Sequence, residues 1–245
     1  GTGTFLVHDP VGFGFAAVFL FLLALVLPLL PLRTVELQEQ PSAVLSLLLL
    51  SACGGLLMIY ADHLLIFFLG LELLSLPLYV LTGLGADPKR GSEAAFKYFL
   101  LGSISSALFI YGLALFWGSV GTLRISEISS AMAHPAMRSQ GLAVLASVLI
   151  FSGIAFKVGL APFQMWVPDV YEGAPSSIVS WMAGAVKAAA LVIALRLFGQ
   201  VPFLQTIAWS KAISALAILS MVWGSLGALY QTNVKRMLGY SAVAH

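Results

Sequence analysis

The sequence predicts an all-α protein, a polytopic bundle of transmembrane helices. Hydrophobic residues make up 60% of its 245 residues and charged residues only 9%, whereas an ordinary soluble domain carries roughly 25% charge. Long apolar runs alternate with short polar connections. The runs are continuously apolar rather than alternating with a period of two, which favours helices over a transmembrane barrel. The composition therefore excludes a soluble globular domain.

Each apolar run is long enough to cross about 30 Å of hydrocarbon. No short charged signal segment precedes the first run, which is therefore expected to be a genuine span. We predict one membrane domain over residues 1–245, with seven complete spans and the start of an eighth, and expect the chain to be a piece of a longer protein. The predicted spans cover residues 11–32, 42–61, 63–84, 92–118, 141–172, 175–199, 207–230 and 234 onward.

The span 141–172 does not have the pattern of one regular helix. A helical apolar run reaches Phe156, but Gly159 and Pro162 follow closely and Pro168 comes six residues later. Proline removes a backbone donor and clashes with the preceding turn. We therefore predict a discontinuous helix broken near residues 157–163. Broken helices in membranes line cavities or ion sites.

Most of the charged residues lie within a turn or two of a span end, where they can reach water. Three do not: Glu72, Lys157 and Lys187 lie deep in apolar runs. A charge at such depth costs at least about 2.5–3.5 kcal/mol, so each requires a partner, water or a role.

Two interpretations of these three charges stay open. They could be packing ion pairs, but one acid cannot neutralise two bases. Burial disfavours the charged form of a lysine and a nearby carboxylate favours it. A lysine that alternates between paired and unpaired states can therefore bind and release a proton, and we favour a proton relay.

Other charged residues are weaker candidates. Lys97 lies four residues after Glu93, the spacing of a surface ion pair. Asp169 and Glu172 follow the predicted break, and we expect them to be interfacial, with a possible capping role for the next helix.

The last predicted span carries three further basic or titratable residues. Lys235 and Arg236 open it, where anchoring at the cytoplasmic surface is the default. His245 would lie roughly 15 Å deeper if the helix continues, and a histidine can carry protons near neutral pH.

The distribution of basic residues predicts the orientation. Alternating the sides of the membrane gives six on one side and four on the other, so the first side is expected to be cytoplasmic. The two sets are Arg33, Lys89, Arg90, Lys97, Lys235 and Arg236, against Arg124, Arg138, Arg196 and Lys211.

Several classes of site are excluded. Cys53 is the only cysteine, so an internal disulfide or a multi-cysteine cluster cannot form. The net charge of +2 gives no patch for nucleic acid. We predict no catalytic, cofactor-binding or metal-ligating residue, and any redox centre must lie in a partner.

Four segments carry a family resemblance: residues 72–81, 93–99, 156–175 and 233–241. They resemble the antiporter-like proton-pumping subunits of respiratory complex I, and the long block from Lys157 to Pro175 is specific for that superfamily. The resemblance implies a fourteen-helix fold with two inverted five-helix repeats, each with a discontinuous helix. This chain would hold helices three to nine and the start of the tenth, which is the first repeat and the beginning of the second.

The resemblance also implies site residues. Glu72 matches the acid of the fifth helix, Lys157 the lysine at the break of the seventh and Lys187 the central lysine of the eighth. Lys97 matches a lysine linked to the relay, and Lys235 and His245 fall in the connection toward a second half-channel.

The implied function is proton translocation in NADH:quinone oxidoreductase, coupled to quinone reduction by partner subunits. NADH, FMN, iron–sulfur clusters and quinone would lie in those partners. The partners would be neighbouring antiporter-like subunits, small quinone-side subunits and the lipid bilayer, without nucleic acid. A bacterial plasma membrane is expected, with mitochondrial inner and thylakoid membranes as alternatives. Rival functions are a subunit of a cation/proton antiporter or membrane-bound hydrogenase, and a purely structural membrane subunit.

Overall fold

A computed structural model describes residues 5–30, 41–133, 140–200 and 207–245 of the chain. Apart from two isolated β-bridges, the regular structure in these ranges is helical. The helices are α1 (Pro10–Val26), α2 (Pro41–Tyr60), α3 (Leu64–Thr82), α4 (Pro88–Val120), α5 (Ile125–Ala133), α6 (Gln140–Val158), α7 (Trp166–Gly173), α8 (Ser176–Trp181), α9 (Lys187–Gln200), α10 (Ile207–Leu229) and α11 (Val234–Ala244).

Seven segments of the described chain are long and apolar enough to cross a membrane. They coincide with the seven complete spans predicted from the sequence, and α11 begins where the eighth was expected. The predicted all-α membrane fold is thus confirmed. The largest boundary difference is at α4, which begins at Pro88 because the Asp87 carboxylate caps its first turn.

The longest polar connection contains a helix that hydropathy did not predict. Helix α5 lies between α4 and α6 and buries Ile125 and Ile128 against the bundle. His134 and Arg138 in the same connection, and Arg33 earlier in the chain, lie outside the described residues.

Small residues allow α2 and α3 to approach closely. A Cβ atom at Gly54 would lie 2.3 Å from the backbone nitrogen of Leu74, and one at Gly70 would lie 2.8 Å from the Gly54 carbonyl oxygen. Glycine at helix contacts is common in membranes, where association depends on close packing. The contact fixes α3 in the bundle.

The remaining helix contacts place α4 between α3 and the two halves of the broken helix, α6 and α7. Helix α4 packs against α3 on one side and against α6 and α7 on the other, while α11 packs against α7 and α10. Helix α9 contacts α1, α2 and α6. Helices α3 and α6, which carry Glu72 and Lys157, therefore both pack against α4.

Candidate functional site

The predicted helix break is present between α6 and α7. Helix α6 ends in a Schellman motif, in which the Gly159 N–H donates to the Phe156 carbonyl at 3.1 Å and the Leu160 N–H to the Ala155 carbonyl at 2.9 Å. Gly159 has a φ of +74°, a left-handed conformation that favours glycine. A 3₁₀ turn, Phe163–Met165, leads into α7. The discontinuity near residues 157–163 is confirmed.

Neighbouring groups satisfy the backbone atoms that the break frees. The Ala161 N–H donates to the Ser220 hydroxyl of α10 at 2.8 Å, and the indole N–H of Trp166 donates to the Phe156 carbonyl at 3.0 Å. Irregular backbone at membrane depth requires such partners. The break is therefore a defined structural element held by α10 and by its own second half.

Lys157 lies in the last turn of α6, directly before the break, and is only 3% exposed. Its ammonium donates to the hydroxyl of Ser75 on α3. It also lies 5.5 Å from the ring centroid of Tyr79 and 5.6 Å from that of Tyr98. No carboxylate oxygen of the described residues is within the 4.0 Å that defines an ion pair. A buried lysine without an ion pair is a typical functional group in a membrane protein.

Glu72 lies near the middle of α3, three residues before Ser75, so the two side chains share a face of the helix. Its Oε1 atom accepts a hydrogen bond of 2.5 Å from the hydroxyl of Ser106 on α4. Glu72 and Lys157 therefore do not bind each other. Glu72 binds Ser106, and Lys157 binds Ser75, one turn further along α3.

Lys187 follows a π-helical turn, Met182–Val186, that interrupts the helix formed by α8 and α9. Such turns frequently mark functional positions. The Lys187 ammonium donates to the Ala242 carbonyl of α11. No hydrogen bond within the described residues joins Lys187 to Lys157, whose ammonium binds Ser75 instead.

His245 directly follows α11. Its Nδ1 atom lies 2.9 Å from the Ser241 carbonyl oxygen. His245 and Lys187 therefore both contact carbonyl groups of the same final turn of α11. Lys235, at the other end of that helix, donates to the Ala174 carbonyl at 2.9 Å.

A second group of charges lies where α4 and α11 begin and α7 ends, and we call it the rim network. Lys97 contacts the carboxylates of Glu93 at 2.7 Å and Asp169 at 2.8 Å. The guanidinium of Arg236 contacts Asp169 at 2.5 Å and Glu172 at 3.1 Å. The six charged residues around a polar cavity of about 160 Å³ define the network: Arg90, Glu93, Lys97, Asp169, Glu172 and Arg236.

The rim network corrects two expectations. Asp169 and Glu172 do not cap α8, whose first turn follows Pro175 without any side-chain cap. Arg236 is not only a surface anchor, since it links α11 to α7 through both carboxylates. The predicted pair of Lys97 with Glu93 is present, but Asp169 shares the ammonium. The signal that could have indicated the network is topological: these helix ends lie on the same side of an alternating bundle.

The opposite side of the bundle has its own ion pair, which sequence reasoning also missed. Asp9 caps α1 and contacts the guanidinium of Arg196 at 2.9 Å. Arg196 also donates to the Ala61 carbonyl at 2.8 Å. These contacts tie α1, α2 and α9 together at that side.

A bundle of apolar helices with one broken helix, a buried lysine at the break and an acid on the neighbouring helix defines a class. It is the class of antiporter-like membrane proteins that move ions at discontinuous helices. Residues 61–245 match the family described as NADH:quinone oxidoreductase/Mrp antiporter, transmembrane, and the chain belongs to that family.

Individual relatives agree with this assignment. NADH-quinone oxidoreductase subunit N of Granulibacter bethesdensis is 42% identical over 200 residues, which cover 81% of this chain and 41% of the relative. A chain of respiratory complex I from Thermus thermophilus superposes with a TM-score of 0.82 at 37% identity, covering 100% of this chain and 51% of that one. The resemblance to complex I antiporter-like subunits is confirmed.

A further solved structure widens the comparison. A chain of the membrane-bound sulfane sulfur reductase, an archaeal respiratory membrane complex, has a TM-score of 0.80 at 31% identity, over 94% of this chain and 47% of that one. The chain thus spans about two fifths to one half of the length of the proteins it matches.

Proposed function

We propose that this chain is part of a proton-translocating membrane subunit of an NADH:quinone oxidoreductase of the complex I type. The observation that carries the proposal is Lys157, buried at a helix break without an ion pair. The similarity to subunit N supports the same assignment. Residues 1–245 would form one membrane domain with the first repeat and the start of the second.

In the proposed mechanism, Lys157 exchanges a proton with water that enters one half-channel. Its hydrogen bond to Ser75 holds the ammonium one turn from Glu72 on the same face of α3. A movement of Glu72 from Ser106 toward Lys157 would favour the charged lysine, and the reverse movement would favour proton release. The acid therefore sets when the proton is held.

The proton would then pass toward Lys187 and the end of α11, where Lys187 and His245 contact the same turn. Lys97 and Lys235 would take part in the proton path on the side of the bundle that carries the rim network. Because no contact joins Lys157 to Lys187, transfer between them requires intervening water or a side-chain movement.

The chemistry of electron transfer belongs to partners in this proposal. NADH, FMN, iron–sulfur clusters and quinone would be bound by other subunits, and the neighbours in the membrane would be further antiporter-like and quinone-side subunits. The relatives named above include bacterial proteins, which supports a bacterial plasma membrane as the location.

The decisive experiment substitutes Glu72→Gln in the full-length protein within its assembled complex. Proton uptake by inverted membrane vesicles is measured with a pH-sensitive dye, together with the rate of quinone reduction. We expect proton uptake per electron to fall by about tenfold, equivalent to about 1.4 kcal/mol of lost stabilisation, with assembly retained. Glu127→Gln is the control, since Glu127 is an exposed acid of α5 on the other side of the bundle. Wild-type uptake in the Glu72→Gln variant would contradict the proposal.

A second candidate follows from the family description, which includes the Mrp antiporters. In that case transport would exchange a cation for protons without an electron donor. Proton movement in vesicles that depends on a sodium gradient and persists without electron donor would favour this function.

A further inference from the structure

Two tyrosines flank the Lys157 ammonium from neighbouring helices. The ring centroid of Tyr79 on α3 is 5.5 Å from Nζ, and that of Tyr98 on α4 is 5.6 Å away. Both rings are buried, with Tyr98 at 0% exposure. A cation within about 6 Å of an aromatic face is attracted by the ring quadrupole, most strongly where water is excluded. The ammonium therefore has two ring faces where an ion-pair partner would otherwise be expected.

Other aromatic residues fix the orientation of the two rings. Tyr98 stacks on Trp166, the first residue of α7, with centroids 4.6 Å apart and an interplanar angle of 8°. Tyr79 meets Tyr98 edge-on, with centroids 4.6 Å apart and an angle of 88°. Gly102 leaves room for Tyr79, because a Cβ atom there would lie 2.1 Å from the Tyr79 hydroxyl. The rings are thus preorganised around the lysine by α4 and by the second half of the broken helix.

The tyrosine hydroxyls do not account for this arrangement. Neither the Tyr79 nor the Tyr98 hydroxyl has a hydrogen-bond partner among the described residues, although buried polar groups are normally satisfied. The contact that both residues make with Lys157 is through the ring faces. The rings, rather than the hydroxyls, are therefore the groups that act on the ammonium.

We propose that Tyr79 and Tyr98 form an aromatic cage that stabilises the charged ammonium of Lys157 while it has no carboxylate partner. This inference rests on the proposed proton transfer and adds two positioning residues to it. A carboxylate at ion-pair distance would strongly favour the charged lysine. Neutral rings stabilise the cation more weakly, so the proton is held in the interior and can still be released.

The surroundings of Lys157 support a cage rather than a hidden ion pair. Glu72 lies one turn before Ser75 on α3, and its Oε1 is bound to Ser106. Ser75 provides the hydrogen bond from the same helix. Helix α4 contributes Tyr98, and Trp166 of α7 stacks on Tyr98 while its indole N–H donates to the Phe156 carbonyl.

The first test compares ring removal with hydroxyl removal in the full-length protein within its assembled complex. Proton uptake per electron is measured in vesicles across pH for Tyr79→Leu, Tyr98→Leu, Tyr79→Phe and Tyr98→Phe. We expect the leucine variants to lose uptake at a pH about one unit lower than wild type, since loss of a cation–π contact disfavours the charged lysine. The phenylalanine variants keep the ring and should follow the wild-type profile. Phe109→Leu, which removes a buried ring elsewhere on α4, should not move the profile.

The second test avoids variants that fail to assemble. Phenylalanine analogues with increasing ring fluorination are placed at position 79, because fluorine withdraws electron density from the ring face while the shape is nearly kept. The alkaline limb of the uptake profile should move to lower pH with each added fluorine. An unchanged limb across this series, or across assembled leucine variants, overturns the cage.

The two proposals fail in different ways. If Glu72→Gln reduces proton uptake while the fluorinated series leaves the pH profile unchanged, the relay stands and the cage is wrong. If Glu72→Gln pumps like wild type, the relay itself is contradicted.

Discussion

The second half of the broken helix has an interior end at the break and a rim end, and charge is arranged differently at the two. At the interior end, Lys157 is buried and has no carboxylate within ion-pair distance among the described residues. At the rim end, the eight residues of α7 include two acids: Asp169 is shared by Lys97 and Arg236, and Glu172 by Arg90 and Arg236. One segment of chain thus places an unpaired base near its middle and a saturated network at its edge.

The difference indicates two roles for charge in this bundle. Partly exposed ion pairs contribute up to about 1 kcal/mol each and cost little to form, so the rim network fits a clamp between α4, α7 and α11. An unpaired charge in the interior costs at least about 2.5–3.5 kcal/mol. A cost of that size without a structural return supports the proposal that the charge at Lys157 serves transport.

The largest effect that would test this comparison is expected for Lys157→Met. Methionine has a similar length but no charge, so it removes the buried cation and the proton site together. We expect proton uptake per electron to fall by at least about tenfold, a barrier change of about 1.4 kcal/mol. Thermal stability of the complex should be unchanged or higher, since a buried charge is replaced by an apolar group. Uptake in vesicles and thermal unfolding of the solubilised complex measure the two effects.

The control for this variant is Lys89→Met, which removes an exposed lysine from the first turn of α4. It should leave both uptake and stability near wild type. Normal uptake in the Lys157→Met variant with reduced stability would instead support a structural role for the buried lysine, and the contrast between interior and rim would disappear.

Much of the interior end follows from local sequence patterns. Hydropathy determines the spans because lipid cannot satisfy free backbone groups. Gly159 and Pro162 predict the break, and the depth of Glu72 and Lys157 within apolar runs identifies them as exceptional charges. Each of these inferences needs only a window of about one span.

The rim network could not be found in the same way. Asp169 meets Lys97 across 72 residues of sequence and Arg236 across 67, so no local pattern joins them. The π-helical turn before Lys187 also lacks a simple signal, because Met182–Val186 contains only apolar residues and glycine. The Asp9 and Arg196 pair depends in the same way on how α1 and α9 pack.

An intermediate effect is expected at the rim from Glu172→Gln and Arg236→Gln. Glu172 is chosen because Lys97 contacts Asp169 instead. The two side chains are 22% and 32% exposed, so each single substitution should lower the free energy of unfolding by about 1 kcal/mol. In a double-mutant cycle, the double variant should be destabilised by about 0.5–1 kcal/mol less than the sum of the two single substitutions. Thermal unfolding of the solubilised complex provides the measurement.

Proton uptake separates this prediction from the first. In assembled complexes both single variants should pump within about twofold of wild type, and the coupling should weaken at about 1 M salt because partly exposed pairs are screened. Zero coupling would show that the rim pairs do not clamp the helices. A tenfold loss of uptake with full assembly would show that Glu172 and Arg236 take part in proton transfer and do not serve only as a clamp.

The smallest effect is expected at His63, a titratable group outside the spans. Its Nδ1 atom accepts a hydrogen bond of 3.3 Å from the Leu65 N–H and caps α3, which requires a neutral ring. Partial burial and the Arg124 guanidinium hold the pKa of the imidazole below its ordinary value of 6.5, against the opposing carboxylates of Asp62 and Glu127. The neutral imidazole of His63 therefore contributes its full stabilisation above the pKa of about 6.5 that it has in the unfolded chain. This stabilisation is lost as the pH falls through its lower pKa in the folded protein.

His63→Asn keeps a capping acceptor and removes the titration. After allowance for solvent screening, we expect wild type to lose well under about 1 kcal/mol more stability than this variant between about pH 7.5 and pH 5.5. Unfolding midpoints at the two pH values provide the measurement. Because the imidazole lies at the edge of the bundle, the titration should change stability and leave proton uptake per electron unaltered. If proton uptake changed over the same pH range as stability, a group outside the interior would control the proton path. That outcome would contradict the contrast between the interior and the rim.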